Sequence, residues 1–127
     1  MVQVLGRPVV LHVEDNPSNR KVVQHILRPL DLALVETEDG ESGLRQAGDE
    51  RPDLILLDMH LPGVSGYEVA QRLKEDEQTR HIPVIAVTSD AMAADEARAR
   101  QAGCDDYVAK PYRPHQLLEA IRRHLPC

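Results

Sequence analysis

One stretch constrains the fold more than any other: Asp53-Leu54-Ile55-Leu56-Leu57-Asp58-Met59-His60-Leu61-Pro62-Gly63. Its four consecutive aliphatic residues lie between charged ones and are too few for a free-standing helix. A run that is apolar at every position predicts a strand covered on both faces, as in the centre of a parallel sheet. The run ends in the carboxylate of Asp58, and Pro62-Gly63 break the chain soon afterwards. Asp58 is therefore expected at the carboxyl edge of a central strand, where open α/β sheets place their ligand sites. An unpaired charge at a buried strand tip is costly, so a cation or a reaction is expected beside it.

The rest of the chain alternates in the same way. Residues 8–13, Pro-Val-Val-Leu-His-Val, read as a first strand that runs into Glu14-Asp15-Asn16-Pro17. Asp15 or Asn16 can cap the following helix and Pro17 suits its first turn; Val22, Val23, Ile26, Leu27 and Leu30 recur on one face, and Pro29 ends or kinks it. Residues 32–37 form a second strand, and Asp39-Gly40 open a helix to about Gly48 with Leu44 and Ala47 inward. Ser65-Gly66 start a third helix with Tyr67, Val69, Ala70 and Leu73 on its apolar side, followed by a charged loop over 75–81. Residues 82–88 make a fourth strand, with Pro83 tolerable only near its start, and 91–102 an Ala-rich helix stopped by Gly103. Few large apolar side chains anchor that helix. Residues 106–109 make a fifth strand ending at Lys110-Pro111, and Leu117, Leu118, Ile121 and Leu125 give the last helix its buried face. Five strands alternating with five helices predict an α/β fold with a doubly wound parallel sheet and right-handed crossovers.

At 127 residues the chain suits a single domain, 1–127, with its core between about 8 and 125. A net charge of −6 with no basic stripe argues against binding nucleic acid or an anionic membrane. The first residues lack the pattern of a signal peptide and no apolar run approaches membrane-spanning length, so a cytoplasmic protein is expected. Cys104 and Cys127 lack metal-ligand spacing and read as reduced and structurally passive. With no Trp or Phe the core must be mainly aliphatic.

Because all strands run one way, Glu14, Asp15, Asp58, Thr88 and Lys110 converge on one edge although they are distant in sequence. Three carboxylates meeting there repel one another, and a divalent cation resolves the repulsion. An oxygen-only ligand set favours Mg²⁺, with Mn²⁺ able to replace it, and Mg²⁺ commonly shares its coordination with a phosphate. Lys110 adds a mobile positive charge and Thr88 a hydroxyl donor, suited to the oxygens of a phosphoryl group in transfer. Asp58 is left as the nucleophile, since carboxylates form acyl phosphates.

The motifs Val-Glu-Asp-Asn, Leu-Leu-Asp-Met-His-Leu-Pro-Gly, Ala-Val-Thr-Ser and Ala-Lys-Pro, in this order and spacing, resemble the receiver domain of two-component response regulators over essentially the whole chain. The resemblance implies a flavodoxin-like sheet in strand order 2-1-3-4-5. It implies that Asp58 is the phosphoacceptor, that Glu14 and Asp15 hold Mg²⁺ with Asp58 and the backbone carbonyl of His60, and that Thr88 and Lys110 contact the phosphoryl group. It also implies that Tyr107 is an aromatic switch moving with Thr88, that the fourth helix, fifth strand and fifth helix carry the altered surface, and that the Lys110-Pro111 peptide is cis. A sensor histidine kinase or a histidine phosphotransfer protein is then the phosphodonor, and a downstream protein the output partner. The Glu-Asp-Asn-Pro-Ser-Asn turn resembles both stand-alone regulators and receivers of hybrid histidine kinases.

The bland readings differ by residue. Asp58 alone could be a turn carboxylate, Glu14-Asp15 a capping pair, Thr88 a strand residue, Lys110 a surface turn and Tyr107 a core filler; company decides for the first four. His12 reads as a satisfied core histidine. The side chains of His60 and Asp90 are expected at the mouth of the site, paired and partly covering the acyl phosphate so as to set its lifetime. Two other classes compete. A phosphatase of the haloacid dehalogenase type needs a second carboxylate where His60 stands, and a binding module independent of phosphorylation would tolerate damage among the site positions, where none is seen.

Overall fold

The computed structural model describes residues 7–88 and 93–125. Five parallel strands, β1 (Val9–Val13), β2 (Ala33–Thr37), β3 (Leu54–Asp58), β4 (Val84–Thr88) and β5 (Asp106–Ala109), lie in the order β2-β1-β3-β4-β5. Between and after them come α1 (Pro17–Leu27), α2 (Gly40–Glu50), α3 (Gly66–Glu75), α4 (Ala93–Gln101) and α5 (Pro114–His124).

The uniform apolarity of β3 has the predicted cause. Ile55 and Leu57 join Leu11, Val13, Val69, Leu73 and Ala86 in a core on one face; Leu54 and Leu56 join Val10, Val23, Leu27, Ile85 and Leu117 on the other. All four β3 aliphatics are fully buried, each contributing about 2 kcal/mol of transfer free energy. Two aspartates fix where strands begin: Asp53 accepts the Val9 N–H and Asp105 the Val84 N–H, each at 2.8 Å. Lys74 reinforces the second, donating to Asp105 at 2.9 Å and to the Ile82 carbonyl at 2.8 Å.

Several local expectations are resolved or corrected. Of the two cap candidates it is Asn16 that caps α1, accepting the N–H groups of Ser18 (2.8 Å) and Asn19 (3.1 Å). The helix ends at Leu27, before Pro29, and Val22 lies 49% exposed on its outer surface; Val23 and Leu27 make the buried stripe. The helix pattern did not separate Val22 from Val23 because adjacent positions differ by only about 100° around the axis. Helix α2 runs past Gly48 to Glu50 and stops where Arg51 turns left-handed (φ 46°). The fourth helix is thinly anchored, as expected: among its described side chains only Ala99 is fully buried, and Arg98 lies over the Tyr67 ring at 3.9 Å from its centroid.

Candidate functional site

The sheet register brings the predicted residues into line. Val13 pairs with Leu57, Asp58 with Val87 and Thr88 with Ala109, so Glu14 comes level with Asp58, Thr88 one rung beyond and Lys110 one beyond that, all at the carboxyl edge. Carboxylate oxygens of Glu14, Asp15 and Asp58 all lie within 4.8 Å of one another. Asp58 is 6% exposed and Thr88 fully buried; Asp15 is exposed. Both Glu14 and Asp15 follow the last residue of β1, Val13; Glu14 is still buried and Asp15 lies in the exposed turn before α1.

Lys110 is drawn to one member of the cluster. Its Nζ donates to Glu14 Oε1 at 2.9 Å, a pair in which Glu14 is 1% exposed, and its backbone N–H donates to the Thr88 carbonyl at 2.6 Å. The Lys110-Pro111 peptide is cis. Burial would raise the Glu14 carboxyl, but the hydrogen bond and charge of Lys110 outweigh it and hold Glu14 below the usual carboxylate range. Asp58 behaves oppositely. Burial, reinforced by the Glu14 charge, pushes its carboxyl up to about 6, although the His60 N–H, donating to Asp58 Oδ1 at 3.0 Å, and the Lys110 charge draw it down. Three carboxylates against Lys110 leave the edge two charges short of neutral when all are ionised. A small divalent cation is the complement that this all-oxygen donor set fits.

The loop after Asp58 is pressed against the next helix. Gly66 donates its N–H to the Met59 carbonyl at 3.1 Å, and a Cβ on Gly66 would lie 2.6 Å from the Met59 Cα and closer still to the Asp58 carbonyl oxygen. Only a glycine permits this approach, and it fixes the backbone carrying Asp58. The sequence showed Gly66 only as a helix start; nothing in the spacing signalled the contact. Arg20 was missed too: its Nη1 donates to the Glu14 carbonyl at 2.8 Å.

Tyr107 is half-buried and packs against the α2–α3–α4 side of the core. The His60 side chain is exposed; Asp90 and Cys127 lie outside the described residues. Cys104 is buried, with its thiol pushed up to about 12 by burial. His12 is buried, which holds its imidazole below the usual histidine range. It is not a satisfied core histidine: Nδ1 stands 3.7 Å from Glu36 Oε2 with no hydrogen-bond partner among the described residues. Beside Lys110 a groove of about 370 Å³ is lined by Asn19, Val22, Pro111 and Tyr112.

A family model, the response regulator receiver domain, matches residues 10–122. This chain belongs to the response regulator receiver family. The receiver is 45% identical over 116 residues to the polar-differentiation response regulator DivK of Brucella anthropi, covering 91% of this chain and 94% of that protein. The receiver domain of the Pseudomonas aeruginosa sensor histidine kinase PA1611, solved with a magnesium ion coordinated in its active-site cleft, superposes with a TM-score of 0.86 at 35% identity, over 94% and 98% of the two chains. The chemotaxis protein CheY4 of Vibrio cholerae gives 0.87 at 26% identity, over 94% and 100%. Membership makes this a receiver in two-component signalling, a family of signalling phosphoacceptors, and removes the ground for a dehalogenase-type phosphatase. Among the described residues no helix is long and apolar enough to cross a membrane.

Proposed function

We propose that the chain works as one receiver unit, in the cytoplasm, whose Asp58 takes a phosphoryl group from the phosphohistidine of a sensor histidine kinase or a histidine phosphotransfer protein. The observation that carries this reading is the convergence of the Glu14, Asp15 and Asp58 carboxylates within 4.8 Å of one another, with Lys110 beside them. Asp15, Asp58, Glu14 and the His60 backbone carbonyl are the residues to hold Mg²⁺. When bound, the ion neutralises charge developing on the phosphoryl oxygens.

The protein's own groups do the rest. An Asp58 carboxylate oxygen attacks phosphorus, the P–N bond to the donor imidazole breaks, and the imidazole leaves with that electron pair. The raised carboxyl of Asp58 still leaves it mostly ionised at neutral pH, hence nucleophilic. Lys110 is poised to exchange Glu14 for the new phosphoryl oxygens, and the Thr88 hydroxyl follows them. Thr88 and Tyr107 then bias the α4–β5–α5 surface read by a downstream protein; the thin anchoring of α4 supports this, because a weakly held element costs little to move. The reading extends to His60 and Asp90 as the residues that pair to set the phosphoryl lifetime; an unchanged dephosphorylation rate in Asp90→Ala would rule their pairing out.

The test is intact mass after incubation with acetyl phosphate, with and without Mg²⁺, for the wild type and Asp58→Asn. One added phosphoryl group that requires both Mg²⁺ and Asp58 is expected. No addition under any condition would point instead to a binding module independent of phosphorylation.

A further inference from the structure

Glu14 is held at every polar atom. Its N–H donates to the Thr37 carbonyl at 3.0 Å, Oε1 accepts from Lys110 at 2.9 Å and Oε2 from the Asn16 N–H at 3.2 Å. Its carbonyl is taken by a side chain from the next helix: Arg20 Nη1, at 2.8 Å. That carbonyl belongs to the peptide joining Glu14 to Asp15, so its direction sets where the Asp15 side chain leaves the backbone. The peptide on the other side of Asp15 is braced by the Asn16 N–H on Glu14 Oε2, and Arg20 is the side chain that holds the near one. Asp15 is exposed, and the capping work that would have tied its carboxylate down falls to Asn16.

We propose that Arg20 is a positioning residue of the metal pocket: by holding the Glu14 carbonyl, it aims the Asp15 carboxylate at the space shared with Asp58. The inference rests on the reading of this edge as an Mg²⁺ site. A planar guanidinium suits the task, because few of its degrees of freedom are lost when one N–H is fixed. Arg20 sits half-buried one turn into α1, so the acid pair is referenced to a rigid helix and not to a free loop. Its charge works against its geometry. A cation beside three carboxylates repels Mg²⁺, so if Arg20 acted only through charge its removal would tighten Mg²⁺ binding, whereas loss of positioning weakens it.

The opposite signs make the test decisive. Calorimetric Mg²⁺ titrations of wild type, Arg20→Met, Arg20→Gln and Arg20→Lys are run beside thermal unfolding in EDTA. Arg20→Met, which keeps the length without the donor, and Arg20→Gln, which is too short to reach the carbonyl, should each raise the Mg²⁺ dissociation constant roughly ten-fold. Arg20→Lys, which restores a donor, should recover part of that loss. Unchanged or tighter Mg²⁺ binding in Met or Gln overturns the inference, even if their unfolding temperature falls, since a merely structural role lowers stability alone. A wild type that binds no Mg²⁺ overturns the reading of the pocket itself, and that arm separates the two failures.

Discussion

Replacing Asp58 should stabilise the protein. Asp58 is 6% exposed beside the Glu14 carboxylate, and its carboxyl rises from an ordinary 3.8 to about 6 on folding. A folded-state pKa above the unfolded one means that the native state prefers the protonated form. Ionised Asp58 therefore costs stability above about pH 6, and the cost fades as pH falls and is gone below the unfolded value. At about 1.4 kcal/mol per pH unit the rise amounts to about 3 kcal/mol at neutral pH and about half of that near pH 5. Asn keeps an oxygen for the His60 N–H and carries no charge, so Asp58→Asn should gain about 3 kcal/mol, or roughly 10 °C in a chain of 127 residues. Thermal and urea unfolding followed by far-ultraviolet circular dichroism, in EDTA near pH 7 and near pH 5, measure this. Glu14, whose lowered pKa gives stability that is present above its unfolded value and lost in acid, interacts with Asp58, so the difference between variant and wild type at each pH reads the pair together. A variant no more stable than wild type near pH 7, or a gain that does not shrink near pH 5, would refute the electrostatic account of the site.

Three further perturbations address its neighbours. Lys110→Met leaves the buried Glu14 carboxylate without its cation and should cost about 3 kcal/mol near pH 7, with the loss easing in acid as Glu14 protonates; equilibrium urea unfolding against pH checks both. Gly66→Ala places a Cβ against the Met59 Cα and the Asp58 carbonyl and should cost about 2–3 kcal/mol and slow phosphorylation by acetyl phosphate, read as unfolding midpoint and intact mass against time. Arg98→Ala removes the contact with the Tyr67 ring; the global loss should be only about 0.5–1 kcal/mol, while amide exchange in α4 quickens and that in β3 does not.

What the sequence made legible is what period and punctuation encode. The continuous run of β3, the turns after Asp58 and Lys110, and alternation with helices were enough for the parallel sheet, and parallel strands alone forced Glu14, Asp15, Asp58, Thr88 and Lys110 to one edge. The strand order came from the family resemblance, since pattern does not say which strands are neighbours. Contacts that depend on side-chain reach were invisible. Lys110 was expected to wait for a phosphoryl group, yet it pairs with Glu14, because a carboxylate buried at a strand tip draws the nearest mobile cation. Val22 and Val23 were alike in composition and differ only in helical angle. Gly66 and Arg20 act through backbone groups of distant or turned residues, which leave no periodic trace.

The central claim is that Asp58 becomes an acyl phosphate. The most direct measurement treats the receiver with acetyl phosphate and Mg²⁺, reduces it with borohydride, and sequences the peptides by tandem mass spectrometry. An acyl phosphate is reduced to the alcohol, so homoserine at position 58, absent without Mg²⁺ and absent from untreated protein, is the predicted result. Homoserine at another carboxylate, or a phosphoryl group that survives borohydride on a hydroxyl or imidazole, would contradict it.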